Sequence, residues 1–278
     1  MLRKLLGVAG AAFLFALALF GVAGAADLSA PFKAPAYAPP PSNWSGFYLG
    51  LNGGYAVAND PVNQALTGIL ATTPPSQLNE SSSVNTRVTP QGGLFGGQLG
   101  YSYQTGHVVF GLEGDIQWAD QKDTACGLSC ANDDGAIVAL TAQQKIDWFA
   151  TARGRLGWAN DGWLLYVTGG GAWGGINATT ATSESGLVET PPASASNTTS
   201  SIKGGWVVGG GAEVRIAGPW TAKFEYLYMD LGSISDALTR APALGGDTLT
   251  TNSSIHDSIV RAGFNYNFNW GGPQAYTY

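Results

Sequence analysis

Eight runs of this sequence alternate apolar side chains with small or polar ones at a period of two. Such alternation is typical of a β-strand whose two faces meet different environments. Most runs have about the 9–11 residues that a tilted strand needs to cross a bilayer. The runs cover residues 47–55, 93–103, 108–118, 145–158, 163–175, 206–216, 220–228 and 260–268. The chain is therefore predicted to be an all-β protein with eight strands.

The charged residues of these runs share one strand face, and the apolar face has no Asp, Glu, Lys or Arg. A soluble barrel or sandwich would bury the apolar face, and alternation alone does not say which face is inside. Small residues crowd the charged face, as a narrow interior requires, and its six basic and five acidic groups are able to pair. We therefore predict an eight-stranded antiparallel up-and-down transmembrane β-barrel with a lumen charge network. The predicted members are Glu113, Asp115, Lys145, Asp147, Arg153, Arg155, Glu213, Arg215, Lys223, Glu225 and Arg261.

Trp and Tyr residues concentrate near the ends of the apolar face. Aromatic side chains form belts at the membrane–water interfaces of transmembrane barrels. This placement favours an apolar face that points outward to lipid. The predicted interface aromatics are Trp118, Trp148, Trp158, Trp163, Trp206, Trp220, Tyr226 and Phe268.

The connections between the runs alternate strictly between short and long. The short ones carry turn signals such as Asp-Gly and Gly-Pro. Outer-membrane barrels have short periplasmic turns and longer extracellular loops, so we predict periplasmic termini and extracellular long loops. The short connections are 104–107, 160–162 and 217–219, and the long ones are 57–91, 119–143, 176–203 and 229–257.

The N-terminus is predicted to direct export. Arg3 and Lys4 precede an apolar run from Leu5 to Ala23, and small residues follow it, which is the pattern of a cleaved secretory signal. A permanent membrane helix is the alternative, because the run approaches the ~20 residues of a helical span. The predicted segments are the signal peptide 1–26, a Pro/Ala-rich periplasmic leader 27–43, the outer-membrane barrel 44–268, and a short C-terminal tail or strand extension 269–278.

The composition excludes several classes of function. Charged residues make up 12% of the chain and the net charge is −6, whereas a soluble domain has about 25% charged residues. No basic cluster is present, which argues against a nucleic-acid partner. The glycine pairs are not followed by Lys-Ser/Thr, so they do not form phosphate-binding loops, and neither a cofactor nor a metal is predicted.

The cysteines and one histidine are candidates for chemistry. Cys126 and Cys130 fall in the second long connection, and the secretory route favours a local disulfide between them, since a metal site would need further ligands nearby. His256 and Ser258 share a strand face, as a hydrolase would require. Asp257 points to the other face and no oxyanion donor is evident, so an enzyme is not predicted.

Four segments resemble a known family. They are residues 44–50 (WSGFYLG), 166–170 (YVTGG), 223–228 (KFEYLY, before DLG at 230–232) and 260–268 (VRAGFNYNF). Together they resemble the outer-membrane β-barrel proteins of alphaproteobacteria, the Omp25/Omp31-like or opacity-like porins. The resemblance covers residues 44–268 and implies an eight-stranded barrel, an outer-membrane location, and roles in envelope integrity, surface interaction or limited permeation. The family ends on an aromatic residue that the barrel-assembly machinery reads, whereas here Phe268 is followed by ten further residues.

The predicted function is therefore structural. We expect a contribution to envelope integrity and surface interaction with at most narrow porin-like permeation, because an eight-stranded interior has room for side chains and few waters. An adhesin or ligand-binding barrel that acts through its long loops is the alternative, and an outer-membrane lipid hydrolase is a lesser one. The expected partners are outer-membrane lipids and lipopolysaccharide, the barrel-assembly machinery during insertion, and a surface ligand or host molecule of unknown identity.

Overall fold

The strands of this protein close into a ring. The computed structural model describes residues 43–67, 82–131, 137–185, 194–239 and 248–268. β1 pairs with both β4 and β10, so the first and last strands close the sheet. The strands within the described ranges are β1 (Gly46–Ala58), β2 (Asp60–Thr67), β3 (Ser82–Val88), β4 (Gln91–Thr105), β5 (Val108–Ala131), β6 (Ile137–Ala159), β7 (Trp163–Ser185), β8 (Ser194–Ala217), β9 (Trp220–Thr239) and β10 (Thr248–Phe268).

Two pairs of these strands are continuous, which makes the ring eight-stranded. β1 and β2 keep one register against β10, because Ala58 pairs with Asp257 and Val62 pairs with Ser253. β3 and β4 likewise keep one register against β2 and β1, on either side of residues 89–90. All neighbouring strands are antiparallel. The predicted eight-stranded antiparallel up-and-down barrel is therefore confirmed.

The three short connections lie together at one end of the ring, which we call the turn end. They comprise residues 106–107, 160–162 and 218–219. Gly106 and Gly218 have φ of +59° and +52°, a left-handed conformation that glycine adopts without the steric cost of a Cβ atom. The predicted turns at these places are confirmed, with bounds that differ by at most two residues.

The opposite end, which we call the extended end, corrects a prediction. Much of the four long connections is β-strand: β5 continues to Ala131, and β7 and β8 remain paired as far as Ser183 and Ser194. Ser, Thr and Asn side chains are tolerated on both faces of a strand, and main-chain hydrogen bonds do not depend on them. A search for apolar alternation therefore ended each strand too early.

An apolar belt surrounds the outside of the barrel. Its large side chains are exposed, for example Leu112 at 71% and Val167 at 62%. Every charged residue within the belt points inward, which is the orientation of a barrel in lipid. The belt covers residues 47–55, 95–103, 110–118, 148–158, 163–173, 206–216, 220–228 and 260–268.

The predicted signal peptide, the leader except Asn43, and the C-terminal tail lie outside the described residues. Within the described ranges no helix is long and apolar enough to span a membrane. The described strands begin at Gly46 and end at Phe268.

Candidate functional site

Eight charged side chains lie inside the barrel at the level of the apolar belt. Each residue is 7% exposed or less. Four are acidic and four are basic, so the set is neutral when all are ionised. We call this set the lumen network; its members are Glu113, Asp115, Arg153, Arg155, Glu213, Lys223, Glu225 and Arg261.

Glu113 on β5 accepts hydrogen bonds from three other strands. Nζ of Lys223 donates to its Oε1 at 2.9 Å, and the Tyr48 hydroxyl donates to its Oε2 at 2.7 Å. Nη1 of Arg155 donates to Oε2 at 3.3 Å, and Nη2 of Arg153 donates to Oε1. Charge-assisted hydrogen bonds are stronger than neutral ones. They offset the cost of removing the carboxylate from water.

Arg261 on β10 is held between two carboxylates. Its Nη1 and Nη2 donate to Oδ1 and Oδ2 of Asp115, each at 3.1 Å, and its Nε donates to Glu225 at 2.7 Å. Arg153 joins the same two carboxylates, at 2.8 Å from Asp115 and 3.0 Å from Glu225. The network therefore links β5 and β6 to β9 and β10 across the lumen.

Arg155 forms a second tier of the network nearer the turn end. Its Nη2 donates to Oε2 of Glu213 at 2.9 Å, and its guanidinium carbon lies 4.0 Å from the centre of the Tyr166 ring. A glycine makes room for the neighbouring tyrosine, since a Cβ atom at Gly100 would lie 2.3 Å from the Tyr48 hydroxyl oxygen. The lumen network is thus fully packed as well as paired.

Apolar clusters close the lumen on both sides of the network. Near the turn end one cluster contains Trp44, Val109, Ala159, Leu164 and Tyr166. A hydrated ion would have to lose its water against these side chains, at high cost. In the described residues, apolar side chains therefore flank the charged network on both sides along the lumen. The cluster on the other side, which we call the upper cluster, contains Ala56, Leu94, Ile146, Phe149, Ala172, Ile176, Val207, Leu227, Met229, Leu231, Ile234, Ile255 and Ile259.

Arg215 points inward but does not join the lumen network. It makes no ion pair with any described residue. Its guanidinium carbon lies 4.5 Å from the centre of a Trp44 ring, and its Nη2 donates to the carbonyl oxygen of Asn43 at 2.7 Å. Nε1 of Trp44 donates to the carbonyl oxygen of Asn160 at 3.3 Å. Arg215 therefore holds Trp44 at the turn end of the lumen, and its predicted place in the network is wrong.

Lys145 and Asp147 lie on the outer face, so their predicted place in the lumen is also wrong. The register of β6 against β7 shifts between Ile146 and Trp148, and such a bulge reverses which residues face inward. Ile146 is consequently buried in the upper cluster. Nζ of Lys145 lies 2.5 Å from Oδ1 of Asp147, and the two side chains are 44% and 37% exposed.

The upper cluster was not predicted. Val207 and Leu227 lie on the charged faces of their runs and Met229 directly follows the seventh run, yet all three pack into this cluster. A signal was present, because residues 206–208 and 226–229 are apolar or aromatic at every position. Such uninterrupted stretches indicate that both strand faces meet apolar surroundings.

His256, Asp257 and Ser258 do not assemble a catalytic triad. Asp257 is buried inside the barrel, whereas Ser258 accepts a hydrogen bond from the Tyr226 hydroxyl at 3.3 Å. Nε2 of His256 lies 3.7 Å from Oδ2 of Asp230. Among the residues that the structure describes, no group of three or more His, Cys, Asp or Glu is placed to hold a metal.

Both cysteines lie in β5, where Cys126 pairs with Thr141 and Cys130 pairs with Val138. Four residues of regular strand span about 13 Å, whereas the Cα atoms of a disulfide are about 5.5–6 Å apart. The register shifts between Cys126 and Ser129, so the strand is not regular there. The two cysteine side chains lie outside the described part of the chain, and the disulfide stays a prediction.

The eight predicted interface aromatics lie on the outside of the barrel in two groups. Tyr226 lies between them. Two aromatic edges around an apolar band are typical of interface belts, and their contact with lipid stays a prediction. Trp158, Trp163, Trp220 and Phe268 lie near the turn end, and Trp118, Trp148 and Trp206 lie at the opposite edge of the belt.

Comparison with known proteins finds similar sequences and a similar solved structure. Residues 13–268 match the family model described as an outer membrane protein beta-barrel domain. The chain is 34% identical over 240 residues to the 31 kDa outer-membrane immunogenic protein of Brucella melitensis, covering 85% of this chain and 89% of that protein. It is 27% identical over 196 residues to the 22 kDa outer membrane protein of Rhizobium leguminosarum, covering 70% and 67%. The solved structure of the outer membrane protein OprG from Pseudomonas aeruginosa aligns with 81% of this chain and 97% of its own, at 12% identity and a TM-score of 0.35.

Proposed function

We propose, since the chain belongs to the outer membrane protein beta-barrel family, that it is a non-enzymatic structural protein of the outer membrane. Its relatives are named as outer-membrane proteins, and that location was predicted from the sequence. One observation carries the proposal: a neutral, fully paired network fills the lumen between two apolar clusters. Such an interior, in the described ranges, supports a role in stabilising the barrel over roles in ion conduction or catalysis.

Planar bilayer recording tests the closed lumen. The purified monomer, first shown to be folded by a shift in gel mobility on boiling, is expected to give no stable conductance steps. A general porin reconstituted under the same conditions provides the positive control. Stable conductance from the folded monomer would contradict the proposal, because ions would then pass the upper cluster.

We further propose that the turn end faces the periplasm and the extended end faces the cell surface, as in other outer-membrane barrels. Cysteine labelling tests this in a background with Cys126→Ser and Cys130→Ser. A membrane-impermeant maleimide should label Asp147→Cys on intact cells and should label Asp161→Cys in the turn at residues 160–162 only after permeabilisation. The reverse pattern would place the turn end outside.

Surface interaction is a second candidate function, favoured by the length of the strands. β5 continues from Trp118 to Ala131, and a tilted strand of that length reaches roughly 30 Å past the belt. The pairing of Ala178 with Thr199 allows residues 179–198 to be replaced by an Asn-Gly turn without changing the register. This variant should keep its heat-dependent mobility but lose attachment of the cells to host surfaces. Unchanged attachment would show that this hairpin does not take part in surface interaction.

The partners of the barrel follow from its outer surface. We propose that membrane lipids and lipopolysaccharide contact the apolar belt, and that the assembly machinery recognises β10. The rings of its final aromatic residues, Tyr266 and Phe268, contact each other edge to face, with ring centres 5.0 Å apart. Phe268→Ala should lower the amount of folded barrel in the outer membrane, while Phe264→Ala, farther from the strand end, should lower it less. Equal losses would contradict recognition of the strand terminus.

A further inference from the structure

Beyond the apolar belt, the ring of paired strands opens at two places. β8 and β9 pair as far as Trp206 and Asp230, and no main-chain hydrogen bond joins their farther described residues, 194–205 and 231–239. β3 and the described residues 124–131 of β5 are not paired either. The wall of the extended end therefore consists of two four-stranded sheets, one of β5 to β8 and the other of β3, β2, β10 and β9. We call the gap between β8 and β9 the seam.

The inner faces of the two sheets contact each other and leave a recess between them. Oγ1 of Thr180 on β7 donates to Oγ1 of Thr251 on β10 at 3.4 Å, and the Ser253 hydroxyl donates to Oε1 of Gln144 on β6 at 3.0 Å. All four residues line the recess, which has a volume of about 310 Å³ including its solvent-open part. The recess therefore has room for a small molecule.

Much of the wall of this recess is apolar. Val62, Val88 and Ala142 form one buried cluster in which each residue is 6% exposed or less. Ile234 on β9 also contributes to the wall and is 4% exposed. Small-molecule sites in proteins are concave and mostly apolar, with a few polar groups that fix the orientation of the ligand. The recess therefore suits a ligand with a short apolar body.

Asp236 is the charged residue among the described residues that line the recess. It is 5% exposed, and its Oδ1 accepts hydrogen bonds from Nδ2 of Asn197 at 2.9 Å and from Oγ1 of Thr199 at 2.6 Å. Its Oδ2 is buried and has no hydrogen-bond partner among the described residues. A buried carboxylate is costly unless donors or a cation surround it. The recess therefore lacks a donor beside Oδ2.

Thr251 lies directly opposite Asp236 in the pairing of β10 with β9. Directly opposite residues share a strand face, with Cβ atoms about 5 Å apart. The Thr251 hydroxyl oxygen has a second lone pair beyond the one that accepts from Thr180. A carboxylate oxygen and a hydroxyl oxygen at adjacent positions suit an ammonium group, which has three N–H donors.

Other cations fit this wall less well. A guanidinium binds both oxygens of a carboxylate in parallel, whereas Oδ1 of Asp236 is already occupied by Asn197 and Thr199. A Ca²⁺ ion takes six to eight oxygen ligands, and the apolar part of the wall supplies none. The unpartnered oxygen of Asp236 therefore favours an ammonium ion.

We propose that the recess binds a small primary ammonium compound with a short aliphatic body. The ammonium donates to Oδ2 of Asp236 and to Oγ1 of Thr251, and the aliphatic body lies against the apolar part of the wall. The seam provides the entry, because Asp236 on β9 faces Asn197 and Thr199 on β8 across it. A molecule that enters there breaks no main-chain hydrogen bond between the described edges of these two strands.

Titration with isobutylamine hydrochloride tests the proposal. The chain is refolded in detergent, its isoleucine methyl groups are isotope-labelled, and the Ile234 resonance is assigned from its loss in Ile234→Val. That resonance should shift and saturate as isobutylammonium is added at neutral pH. Isobutanol has the same aliphatic body without the charge and should bind at least tenfold more weakly. Isovalerate, which carries a negative charge on that body, should not shift the resonance.

Three variants separate the contributions to this site, each first shown to be folded by its heat-dependent mobility. Asp236→Asn keeps the shape of the side chain and should weaken isobutylammonium binding at least tenfold, so that the preference over isobutanol disappears. Thr251→Val removes only the hydroxyl and should weaken binding severalfold. Asp147→Asn removes an exposed carboxylate on the outside of the barrel and should bind as the parent does.

Three results would overturn the proposal. The first is an Ile234 resonance that does not respond to isobutylammonium, in which case the recess holds water alone. The second is equal binding of isobutanol, which would make the site apolar without a role for the charge. The third is unchanged binding in folded Asp236→Asn, which would place the ammonium elsewhere. None of these results depends on conductance or attachment, so the proposed function is tested separately.

Discussion

Nζ of Lys223 lies 2.9 Å from Oε1 of Glu113, and both side chains are 1% exposed or less. The two residues are on β9 and β5, so their contact joins opposite walls of the barrel. Glu113→Gln would leave three acidic and four basic groups in the lumen network. Because an uncompensated charge would then be buried, we expect a loss of about 3–5 kcal/mol in the free energy of unfolding. Urea unfolding in detergent micelles measures it.

A double variant tests whether the loss of stability comes from the charge imbalance or from the removal of Glu113 itself. The double variant Glu113→Gln/Lys223→Met has three acidic and three basic groups, and should recover at least half of the loss. Asp147→Asn breaks an exposed pair and should cost at most about 1 kcal/mol. If Glu113→Gln alone is as stable as Asp147→Asn, the lumen network contributes little to the free energy of unfolding.

Gly100 allows the Tyr48 ring to lie against β4. A Cβ atom there would be 2.3 Å from the Tyr48 hydroxyl, whereas a Cβ atom at Gly93 in the same strand would meet nothing within 4 Å. Gly100→Ala should therefore lower the free energy of unfolding by about 1–3 kcal/mol, as overpacking does, and Gly93→Ala should have little effect. Equal effects of the two variants would mean that strand propensity, and not the space for Tyr48, sets the cost.

Two carboxyls buried inside the barrel, those of Asp60 and Asp257, should make stability depend on pH. Burial raises the pKa of Asp60 from 3.8 to about 7, although hydrogen bonds from His256 and Gln144 oppose the shift. Burial likewise raises the pKa of Asp257 to about 8; Asp60 adds to that increase, and a hydrogen bond from Gln121 opposes it. The folded state then holds protons that the unfolded state has released. Stability should therefore fall as the pH rises from 5 to 8.

The temperature of the heat-dependent mobility shift, recorded across that pH range, measures the effect. His256 and Asp230 also border Asp60, so the comparison must be with a variant that leaves them in place. Asp60→Asn should flatten the curve, and Asp147→Asn should keep its slope. A stability that rises from pH 5 to 8 in the parent would contradict the assignment.

The sequence predicted the fold because the bilayer imposes a strict pattern. Leu112 and Glu113 are neighbours, yet one meets lipid and the other meets the lumen network, and this contrast repeats along each belt segment. Short turns with glycine at Gly106 and Gly218 fixed the pairing of consecutive strands. Eight of the eleven predicted network members accordingly lie together in the lumen.

Other features of the structure were not predicted, because the alternation of apolar and polar residues weakens outside the belt. Beyond the belt both faces of a strand are polar, so neither the strand ends nor the inward position of Asp60 is apparent from alternation. Phe149 on β6 and Leu227 on β9 belong to the same cluster inside the barrel. Periodicity within one strand carries no information about such a contact between strands. The bulge near Asp147 adds a single residue, and no residue type marks its position.

That bulge provides a last prediction. If Asp147 is the extra residue of β6, deleting it should restore strict alternation from Trp148 back to the extended end. Ile146 would still point into the upper cluster and Lys145 would still point to the surface, because the pairs Trp148–Gly175 and Ile146–Ile176 would then follow each other directly. Maleimide labelling in a background with Cys126→Ser and Cys130→Ser measures this. Lys145→Cys should be labelled in the folded barrel both with and without Asp147, and Ile146→Cys should be protected in both. Labelling of Ile146→Cys after the deletion would mean that Asp147 is not the extra residue that sets the inward face of β6.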